Sequence, residues 1–577
     1  MRRVFTLVSL AVLAVSLVPA CGDDDSDDGD ASTDTDTDTD TDSDSDAGPD
    51  GGEPFDCTEI ECPDGGVFYV DTDATGAATG LSWADAADNL QLGLAMGECC
   101  APAQLWVAEG TYIPGSAQED TFQLIGGVAL YGGFAGTETA LEERDWDAHP
   151  TVLSGADDPT PEDGLTGGTF HVVTGASGAT LDGFTITGGG VLLPETEDWW
   201  DEIDIEEHYR GGGMYNVGCD ETLVVSHCIF SENFLTYGMG AGMYNEDSSP
   251  LVTECVFQGN RGSICQDYPT PCGPGGGAMA NIESSPVVAD SSFEGNRAEN
   301  GGAILNDSSS LQIAGCSFSE NTAIGGAAIF GGDEHLVVAD SSFDANATST
   351  HDVTFGAGGA IAWGAGNLTI SRSTFRGNTA GDGGAVVVYG TSLAIVDSAF
   401  GGNSLHNGIS GSGAGILLAD GADAEIVSSV FSNNSGGTNP YSPPEGGAIY
   451  ADETIADLAI TNCSFYGNSS DVGGAIYASA ATVANSIFFG DSPDELSGPD
   501  GGVYDVTYSL VQGGHAGGGN LDADPLFVDA AAGDLHLQSG SPCIDAADTA
   551  LAPEFDLEGN ARVGEADMGA YEFTGEK

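Results

Sequence analysis

The stretch GGAILNDSSSLQIAGCSFSENTA, residues 301–323, decides the fold, because variants of it recur through half of the chain. It contains no run long enough for a helix, and its phenylalanine is followed three residues later by asparagine. This spacing aligns ten copies, the last a degraded SIFFGD, at Phe230, Phe257, Phe293, Phe318, Phe343, Phe375, Phe400, Phe431, Phe465 and Phe488. Successive phenylalanines lie 23 to 36 residues apart, a period that indicates a solenoid and not a globular core.

Each copy contains three short apolar segments, which predict three short strands. The first follows paired glycines, and the second is the alternating pair Leu311 and Ile313. The third carries the phenylalanine and is out of phase with the second, so the chain must bend between them. Six of the ten copies have a residue at this bend that tolerates left-handed backbone geometry, namely Asp290, Gly315, Asp340, Asp397, Asn462 and Asn485.

Three strands per repeat with no helix between them predict an all-β parallel β-helix whose coils stack about 4.8 Å apart. Stacking predicts an internal phenylalanine ladder, with the Ser or Cys positions stacked beside it. It also predicts a ladder of turn amides from Asn233, Asn260, Asn296, Asn321, Asn346, Asn378, Asn403, Asn434 and Asn468. Cys228 and Cys255 occupy equivalent places in adjacent coils, where they form either a disulfide or two buried thiols.

The regions outside the regular repeat divide the chain further. Residues 82–96 predict an N-terminal capping helix that covers the apolar end of the solenoid, with Ser82 as N-cap. Its apolar face is expected to consist of Trp83, Ala87, Leu90 and Leu94. We expect the cap and first coils in 55–190, a protruding inserted loop in 191–210, regular coils in 211–490 and a distinct C-terminal region in 491–577.

Charge and cysteine content limit the partners and the compartment. The formal net charge of −81, from 10 basic and 91 acidic residues, excludes nucleic acid as a partner. Twelve cysteines besides Cys21 suit an oxidising compartment. Cys57 with Cys62 and Cys265 with Cys272 are candidate short-loop disulfides, and the vicinal Cys99 and Cys100 are expected to bond elsewhere. No Cys and His spacing fits a zinc site, so we predict no structural metal and no cofactor.

The first 20 residues predict a signal peptide, because Arg2 and Arg3 precede an apolar run that ends at Ala20. The run LVPAC resembles the lipobox of bacterial lipoproteins, which implies that Cys21 carries a lipid and anchors the chain to a membrane. The alternative is an ordinary secretory signal cut near Ala20. Residues 21–54 are rich in Asp, Ser and Thr and predict a disordered spacer. The expected location is the bacterial cell envelope, at the outer membrane or cell surface.

Three further resemblances cover most of the chain. The GGAI and FxxN elements resemble the repeats of polymorphic outer membrane proteins. The runs VFYVDTDATGAATGLSWADA and ALYGGFAGTETALEERDWDAHPTVLSG are similar to the start of secreted bacterial right-handed β-helix proteins, which implies a right-handed parallel β-helix solenoid. The runs DADPLFVDAAAGDLHLQSGSPCIDAAD and DLEGNARVGEADMGAYEF resemble the choice-of-anchor Q domain. These resemblances imply an architecture and a surface location, but not an activity.

Four residues are candidate ligand contacts, and no catalytic residue is assigned. Arg261 and Arg297 each follow a ladder asparagine, so they should stack and could grip a carboxylate or sulfate; alternatively, they pair with nearby acidic residues. Trp199 and Trp200 in the inserted loop stack on sugars or a partner protein, or they fold back over the solenoid. His208 and His351 are loop histidines.

Two functional hypotheses follow. The first is a non-catalytic, lipid-anchored surface protein that serves adhesion, recognition or envelope structure, with an extracellular glycan or protein as its partner. The second is a polysaccharide lyase or glycoside hydrolase acting along the β-helix groove. Glycine-rich repeats without lysine argue against the second. The calcium-binding GGxGxD repeat is absent from the sequence, although a structural role for calcium stays open.

Overall fold

The computed structural model describes residues 56–156, 168–190, 209–235, 238–262, 275–349, 356–390, 392–406, 411–437, 443–455 and 457–575. They belong to one compact unit, Phe55–Lys577. The predicted signal peptide, Cys21 and the spacer lie outside the described residues. So do Trp199, Trp200, His208, Cys265, Cys272 and His351.

The described chain is a solenoid whose three strands per coil stack into three long parallel sheets. The sheet that follows the paired glycines is called the glycine sheet. Among the described residues its strands are Phe122–Gln123, Val173–Thr174, Met214–Val217, Met243–Glu246, Met279–Ile282, Ile304–Asp307, Ile329–Gly332, Ile361–Gly364, Val386–Tyr389, Ile416–Ala419, Ile449–Ala451, Ile476–Tyr477 and Leu496–Ser497.

The middle sheet comes next along each coil, and the phenylalanine sheet follows the bend. The middle sheet contains Val67–Val70, Ala103–Ala108, Val128–Phe134, Thr180–Asp182, Val224–Ser226, Leu251–Thr253, Val287–Ala289, Leu311–Ala314, His335–Ala339, Asn367–Ser371, Ser392–Val396, Asp423–Val427, Leu458–Thr461, Ala480–Ala484 and Val503–Thr507. The phenylalanine sheet contains Gly110–Tyr112, Thr151–Ser154, Phe184–Thr187, Ile229–Ser231, Val256–Gln258, Ser292–Glu294, Ser317–Ser319, Ser342–Asp344, Thr374–Arg376, Ala399–Gly401, Val430–Ser432, Ser464–Tyr466, Ile487–Phe489 and Leu510–Val511.

Smaller elements complete the fold. A short parallel sheet follows the phenylalanine sheet in four coils, at Thr322–Ala323, Ala347–Thr348, Thr379–Ala380 and Ser404–Leu405. An antiparallel pair joins Phe527–Asp529 to Asp534–Leu537. The α-helix is Leu90–Cys99, and 3₁₀ turns occupy Cys57–Glu59, Trp83–Asp85, Leu141–Glu143, Pro499–Gly501 and Ala530–Ala532.

The predicted phenylalanine ladder is confirmed. The ten rings stack with centroids 4.5 to 4.9 Å apart and planes within 9° of parallel. Each ring is fully buried. The Ser and Cys positions also stack, as shown by the Cys316 backbone N–H donating to Ser341 Oγ at 3.1 Å. The core therefore extends by repetition along the coil axis.

The predicted bends are confirmed at all six named residues. In all ten copies the bend residue has a positive φ, between 45° and 67°. The other four copies place His227, Glu254, Arg372 and Ser428 there. The sequence does not identify these four, because none is glycine, asparagine or aspartate, the residues that most readily adopt left-handed geometry. The stack therefore imposes the bend on any side chain.

The predicted capping helix exists but begins later than expected. Ser82 Oγ accepts the Asp85 backbone N–H at 3.3 Å, which caps only a 3₁₀ turn. Ala87 then bridges Val70 in parallel β pairing. The α-helix begins at Leu90 with Asn89 as its N-cap, so a single helix over 82–96 is wrong. Because Ala87 and neighbouring backbone groups bond to the first strand, the chain cannot be helical there.

Two disulfides fasten this cap, Cys57 to Cys99 and Cys62 to Cys100. The predicted bond between Cys57 and Cys62 is therefore wrong, because the end of the helix presents its vicinal pair to the N-terminal segment. The expectation that the vicinal cysteines bond elsewhere is confirmed. Cys228 and Cys255 are buried free thiols, which decides between the two alternatives for that pair.

The C-terminal region packs along the phenylalanine sheet. Phe527, Leu537 and Met568 form an apolar cluster with Ile487 and Leu510. This contact covers the outer face of the last coils. At the bend row, Asn462 Nδ2 donates to the Asp567 carbonyl and Asn485 Nδ2 to the Asp548 carbonyl, both at 3.0 Å. In the described part of the chain, no helix is long and apolar enough to cross a membrane.

Candidate binding face

Chain length varies at one corner of the coil, between the ladder asparagine and the first of the paired glycines. Four residues separate the two in the coils of Asn296, Asn321, Asn378 and Asn468, which lead to Gly301, Gly326, Gly383 and Gly473. The separation is longer in five other coils, from Asn233 to Gly240, Asn260 to Gly276, Asn346 to Gly358, Asn403 to Gly413 and Asn434 to Gly446. We call this position the insertion corner. Residues 191–210 join Gly190 to Gly211 at the same place in an earlier coil.

Both ends of the insertion corner are held by the stack. The first glycine has a φ between 54° and 75° in these nine coils, which favours glycine. A Cβ at Gly301 would lie 2.1 Å from the Ile304 carbonyl oxygen. Upstream, the ladder asparagine is fully buried in each coil. Insertions between these two fixed points therefore leave the coil unchanged.

Arg261 and Arg297 lie in register in adjacent coils, as the repeat predicts for their backbone positions. The two residues form a parallel bridge, and Arg297 continues it to Thr322 in the next coil. Both lie at the insertion corner directly after a ladder asparagine. Neither guanidinium forms an ion pair with any carboxylate that the structure describes. No contact among the described residues therefore supports the alternative, in which Arg261 and Arg297 pair with acidic neighbours.

The outer face of the glycine sheet begins at the insertion corner and carries aromatic side chains. Tyr215 stacks on Tyr244 at 5.7 Å and on His171 at 4.5 Å. Tyr450 stacks on Tyr477 at 5.5 Å. The Arg210 guanidinium lies 5.3 Å from the Tyr244 ring centroid, and it pairs with Glu246 at 2.9 Å. This face is therefore a stacked surface beside the inserted segments.

A trough of about 550 Å³ crosses the same face. Phe330, Tyr389 and the largely buried Leu305 are its apolar and aromatic lining residues. Its carboxylates are Asp307, Asp333 and Asp420. Burial is the main cause that raises the pKa of Tyr389 to about 12, helped by Asp382 and Asp420. The Tyr389 hydroxyl therefore stays protonated at neutral pH.

The sequence reasoning missed this trough, although a signal was present. The copies GGAILN and GGAMAN carry side chains where the next copies read IFGG at 329–332 and IAWG at 361–364. Gly332 and Gly364 are paired in the glycine sheet. Consecutive glycines at positions that otherwise carry side chains predict a depression on the outer face of a sheet.

A second polar cluster lies at the bend of the first coils. Asp182 accepts Ser226 Oγ at 2.8 Å and pairs with Arg144 at 2.6 Å. His227 bridges Asp182 at 3.3 Å and Glu254 at 3.2 Å. The Trp146 ring covers His227 at 4.6 Å. Because these contacts bind the loop of Arg144 and Trp146 to the coils, the arrangement is a brace and Ser226 is not free to attack a substrate.

A buried carboxyl pair ends the asparagine ladder. Asp491 Oδ1 accepts the Asn468 backbone N–H at 2.6 Å and its side-chain amide at 2.8 Å, as an asparagine oxygen would. Burial raises the pKa of Asp491 well above its usual range, and the Glu495 carboxyl raises it further. Burial likewise raises the pKa of Glu495. Burial and the mutual repulsion of the two carboxylates therefore favour a protonated form of the pair.

The described residues contain no group of three His, Cys, Asp or Glu side chains arranged to hold a metal ion. The three carboxylates that line the trough, Asp307, Asp333 and Asp420, do not form such an arrangement. The geometry of the face accordingly offers hydrogen-bond acceptors, aromatic surface and two arginines in register in adjacent coils. This combination suits recognition of a ligand.

Comparison with known proteins identifies the architecture. No curated protein matches the chain. Among solved structures it is similar to the pectate lyase Pel9A, at 14% identity, with 88% of this chain and 96% of that chain covered and a TM-score of 0.29. It is also similar to XylC in a complex with xylose, at 9% identity, with 88% and 98% covered and a TM-score of 0.31. The model of the right-handed β-helix region matches residues 172–362 and 348–488, more than half of the chain, which therefore belongs to the right-handed β-helix family.

Proposed function

We propose that this chain is a non-catalytic recognition protein of the bacterial cell envelope, in which a stiff β-helix presents variable segments to an extracellular glycan or protein. The observation that carries the proposal is the insertion corner. Chain length changes there in coil after coil, while the ladders on either side continue without a break. Loops held at both ends by a rigid scaffold are common places for binding residues.

The contacts that we propose lie at or within this corner. Arg261 and Arg297 lie in register in adjacent coils at this corner, and we propose that their guanidinium groups bind an anionic group. Trp199 and Trp200 belong to residues 191–210, which join Gly190 to Gly211. We propose that their rings stack on the ligand. No catalytic residue is assigned, and a structural role for calcium is part of the test below.

The anchor and the location are proposed on sequence grounds. Cys21 in LVPAC would carry the lipid, and the acidic segment 21–54 would hold the β-helix away from the membrane. The resemblance to polymorphic outer membrane proteins and to the choice-of-anchor Q domain supports a surface position. Release of the protein from envelopes by the Cys21→Ser variant, measured by fractionation, tests the anchor. A variant that stays in the membrane fraction would contradict it.

A combined screen for binding and turnover tests the function. The full chain in detergent micelles is applied to an array of glycans and extracellular proteins, and incubated with labelled polysaccharides with and without calcium. We expect saturable binding without cleavage, weakened by replacing Trp199 and Trp200 with alanine. Depolymerisation that is lost on replacing one carboxylate or arginine would instead establish the lyase or hydrolase hypothesis.

A further inference from the structure

The trough on the outer face of the glycine sheet has the size of a ligand site. Its volume is about 550 Å³, within the usual range for small-molecule sites. The lining residues come from five successive coils, from Leu305 to Asp420, which makes it about 19 Å long at the spacing of parallel strands. One end begins at Asn300, beside the insertion corner. An elongated ligand fits this shape better than a compact one.

Glycine creates the space in the trough. Gly332 and Gly364 are paired in adjacent strands, and Gly364 is paired in turn with Tyr389. A Cβ at Gly332 would lie 1.9 Å from the Gly364 carbonyl oxygen, so the two strands require glycine there. A Cβ at Gly364 meets no atom within 4 Å. The space above Gly364 is therefore open to an occupant.

The polar groups of the trough are mostly hydrogen-bond acceptors. The carboxylates of Asp333 and Asp420 have no hydrogen-bond or ion-pair partner among the described residues, and none of the lining residues is basic. Asp307 accepts the Ser308 hydroxyl at 3.2 Å. The floor offers few donors in return, since the Asp333 and Gly390 backbone N–H groups donate to the Gly364 and Ala419 carbonyls.

We propose that the trough binds an oligosaccharide of amino sugars. Such a ligand carries many donors, in its hydroxyl and ammonium groups, and so matches a site of carboxylate acceptors. Its ammonium groups would pair with Asp333 and Asp420, and its rings would lie over Phe330 and Tyr389. A polyuronate meets repulsion there. A peptide brings a carbonyl acceptor for every N–H donor, and the floor has few N–H groups left for it.

This proposal rests on the proposed function and names the ligand class for one part of the recognition face. Calorimetric titration tests it with two matched probes, the glucosamine hexamer and the N-acetylglucosamine hexamer, at mildly acidic pH and low salt. The full chain in detergent micelles is used for both titrations. We expect the cationic hexamer to bind about tenfold more tightly than the neutral hexamer.

Two variants with matched controls localise the binding. The double variant Asp333→Asn and Asp420→Asn should weaken binding of the glucosamine hexamer by about tenfold, while Asp423→Asn, on an exposed position of the middle sheet, should leave it unchanged. Gly364→Tyr fills the trough and should abolish binding. Gly518→Tyr adds the same ring where a Cβ also meets no atom within 4 Å, and should have no effect. Unchanged melting temperatures establish that all variants fold.

Four results would overturn the proposal. The first two are equal binding of both hexamers, and an effect of Asp423→Asn as large as that of the double variant. The third is full binding of the glucosamine hexamer by Gly364→Tyr. The fourth is binding of a lysine-rich peptide that is tighter than that of the hexamer and is abolished by Gly364→Tyr. The last result would assign the trough to a protein partner. If the array screen detects other ligands while the glucosamine hexamer fails to bind, the trough proposal falls and the recognition function stands. If neither assay detects a ligand, both fail.

Discussion

The turn amide ladder and the insertion corner lie within a few residues of each other and behave in opposite ways. Asparagine occupies the ladder position in nine successive coils, whereas the segment that follows it varies from coil to coil. The reason is local. From Asn260 onward, each ladder oxygen accepts two buried donors of the preceding coil, as Asn260 Oδ1 accepts the Asn233 backbone N–H and side-chain amide, while the corner only has to join two fixed ends. The repeated asparagine is therefore required by the structure, whereas the variable segment at the insertion corner is free to serve function.

The ladder geometry explains why one residue type is kept. Asn346 Oδ1 accepts the Asn321 backbone N–H at 3.1 Å and the Asn321 side-chain amide at 2.9 Å. Asn346 Nδ2 then donates to the Phe318 carbonyl and to Asn378 Oδ1, both at 3.0 Å. All of these groups are shielded from water. An amide alone supplies this acceptor and both donors in one side chain.

The most damaging change should be removal of a ladder amide. Asn346→Ala leaves the buried Asn321 backbone N–H without its acceptor and takes from the Asn321 side-chain amide one of its two acceptors, the other being the Phe293 carbonyl. It also removes a donor from the Phe318 carbonyl and from Asn378 Oδ1. We expect a loss of roughly 3–5 kcal/mol in the free energy of unfolding. Urea denaturation followed by circular dichroism measures it. A loss below about 1 kcal/mol would mean that the ladder does not stabilise the stack.

A second ladder of asparagine side chains is expected to contribute less to stability than the first. Asn216, Asn245, Asn281 and Asn306 stack inside the glycine sheet, where Asn245 Nδ2 donates to Asn281 Oδ1 at 2.8 Å. The structure gives these oxygens no backbone N–H donor among the residues it describes, and the column continues as Gly331, Trp363 and Val388. Asn281→Ala should therefore cost roughly 1–2 kcal/mol. Urea denaturation compares the loss in free energy of unfolding for Asn281→Ala with that for Asn346→Ala. An equal loss would contradict the proposed difference between the two amide ladders.

The carboxyl group of Asp491, which ends the asparagine ladder, predicts that the stability of the protein depends on pH. Because burial and Glu495 raise the native pKa of Asp491, the native state favours its protonated form. The contribution of Asp491 to stability is therefore fully present below its unfolded pKa and is lost as pH rises through its native pKa. Asp491→Asn keeps the acceptor oxygen and removes the charge. We expect the variant to match the parent at acidic pH and to gain roughly 1–2 kcal/mol at mildly alkaline pH.

Melting temperatures of the parent and the Asp491→Asn variant, recorded across this pH range, check the prediction. The difference between the two proteins isolates Asp491 from the general repulsion of an acidic chain. The neighbouring Asp494 is exposed, so Asp494→Asn removes the same charge at the surface and serves as the control. Parallel pH profiles for the parent and the Asp491→Asn variant would show that Asp491 is not protonated in the native state.

The smallest effect is expected on the outer surface of the bend. Arg372 binds Asp340 with two hydrogen bonds of 2.6 and 2.7 Å, but both side chains are half exposed, at 49% and 53%. Arg372 also has a φ of 45°, which asparagine tolerates better. Arg372→Asn loses a weak ion pair and relieves the backbone, so we expect a change within about 0.5 kcal/mol. A larger loss in urea denaturation would show that surface pairs stabilise the stack.

The features that could be predicted from the sequence are those that repeat from coil to coil. The phenylalanine ladder, the asparagine ladder and the bends could be predicted, because one residue repeated in one register fixes its own neighbours. The start of the helix at Leu90 and the partners of Cys57 and Cys62 could not, since they depend on contacts between segments that occur once. The glycine-sheet amides and the trough at Gly332 were present in the repeats but were not recognised there.

The direct test of the account is the thermal stability of a chain in which residues 191–208 are replaced by a short Gly-Ser linker. We expect a melting temperature within about 2 °C of the parent, while Asn346→Ala in the same experiment melts far lower. If replacing the segment lowers the melting temperature as much as Asn346→Ala does, the insertion corner is a structural element. The proposal that this corner is free to serve recognition would then be contradicted.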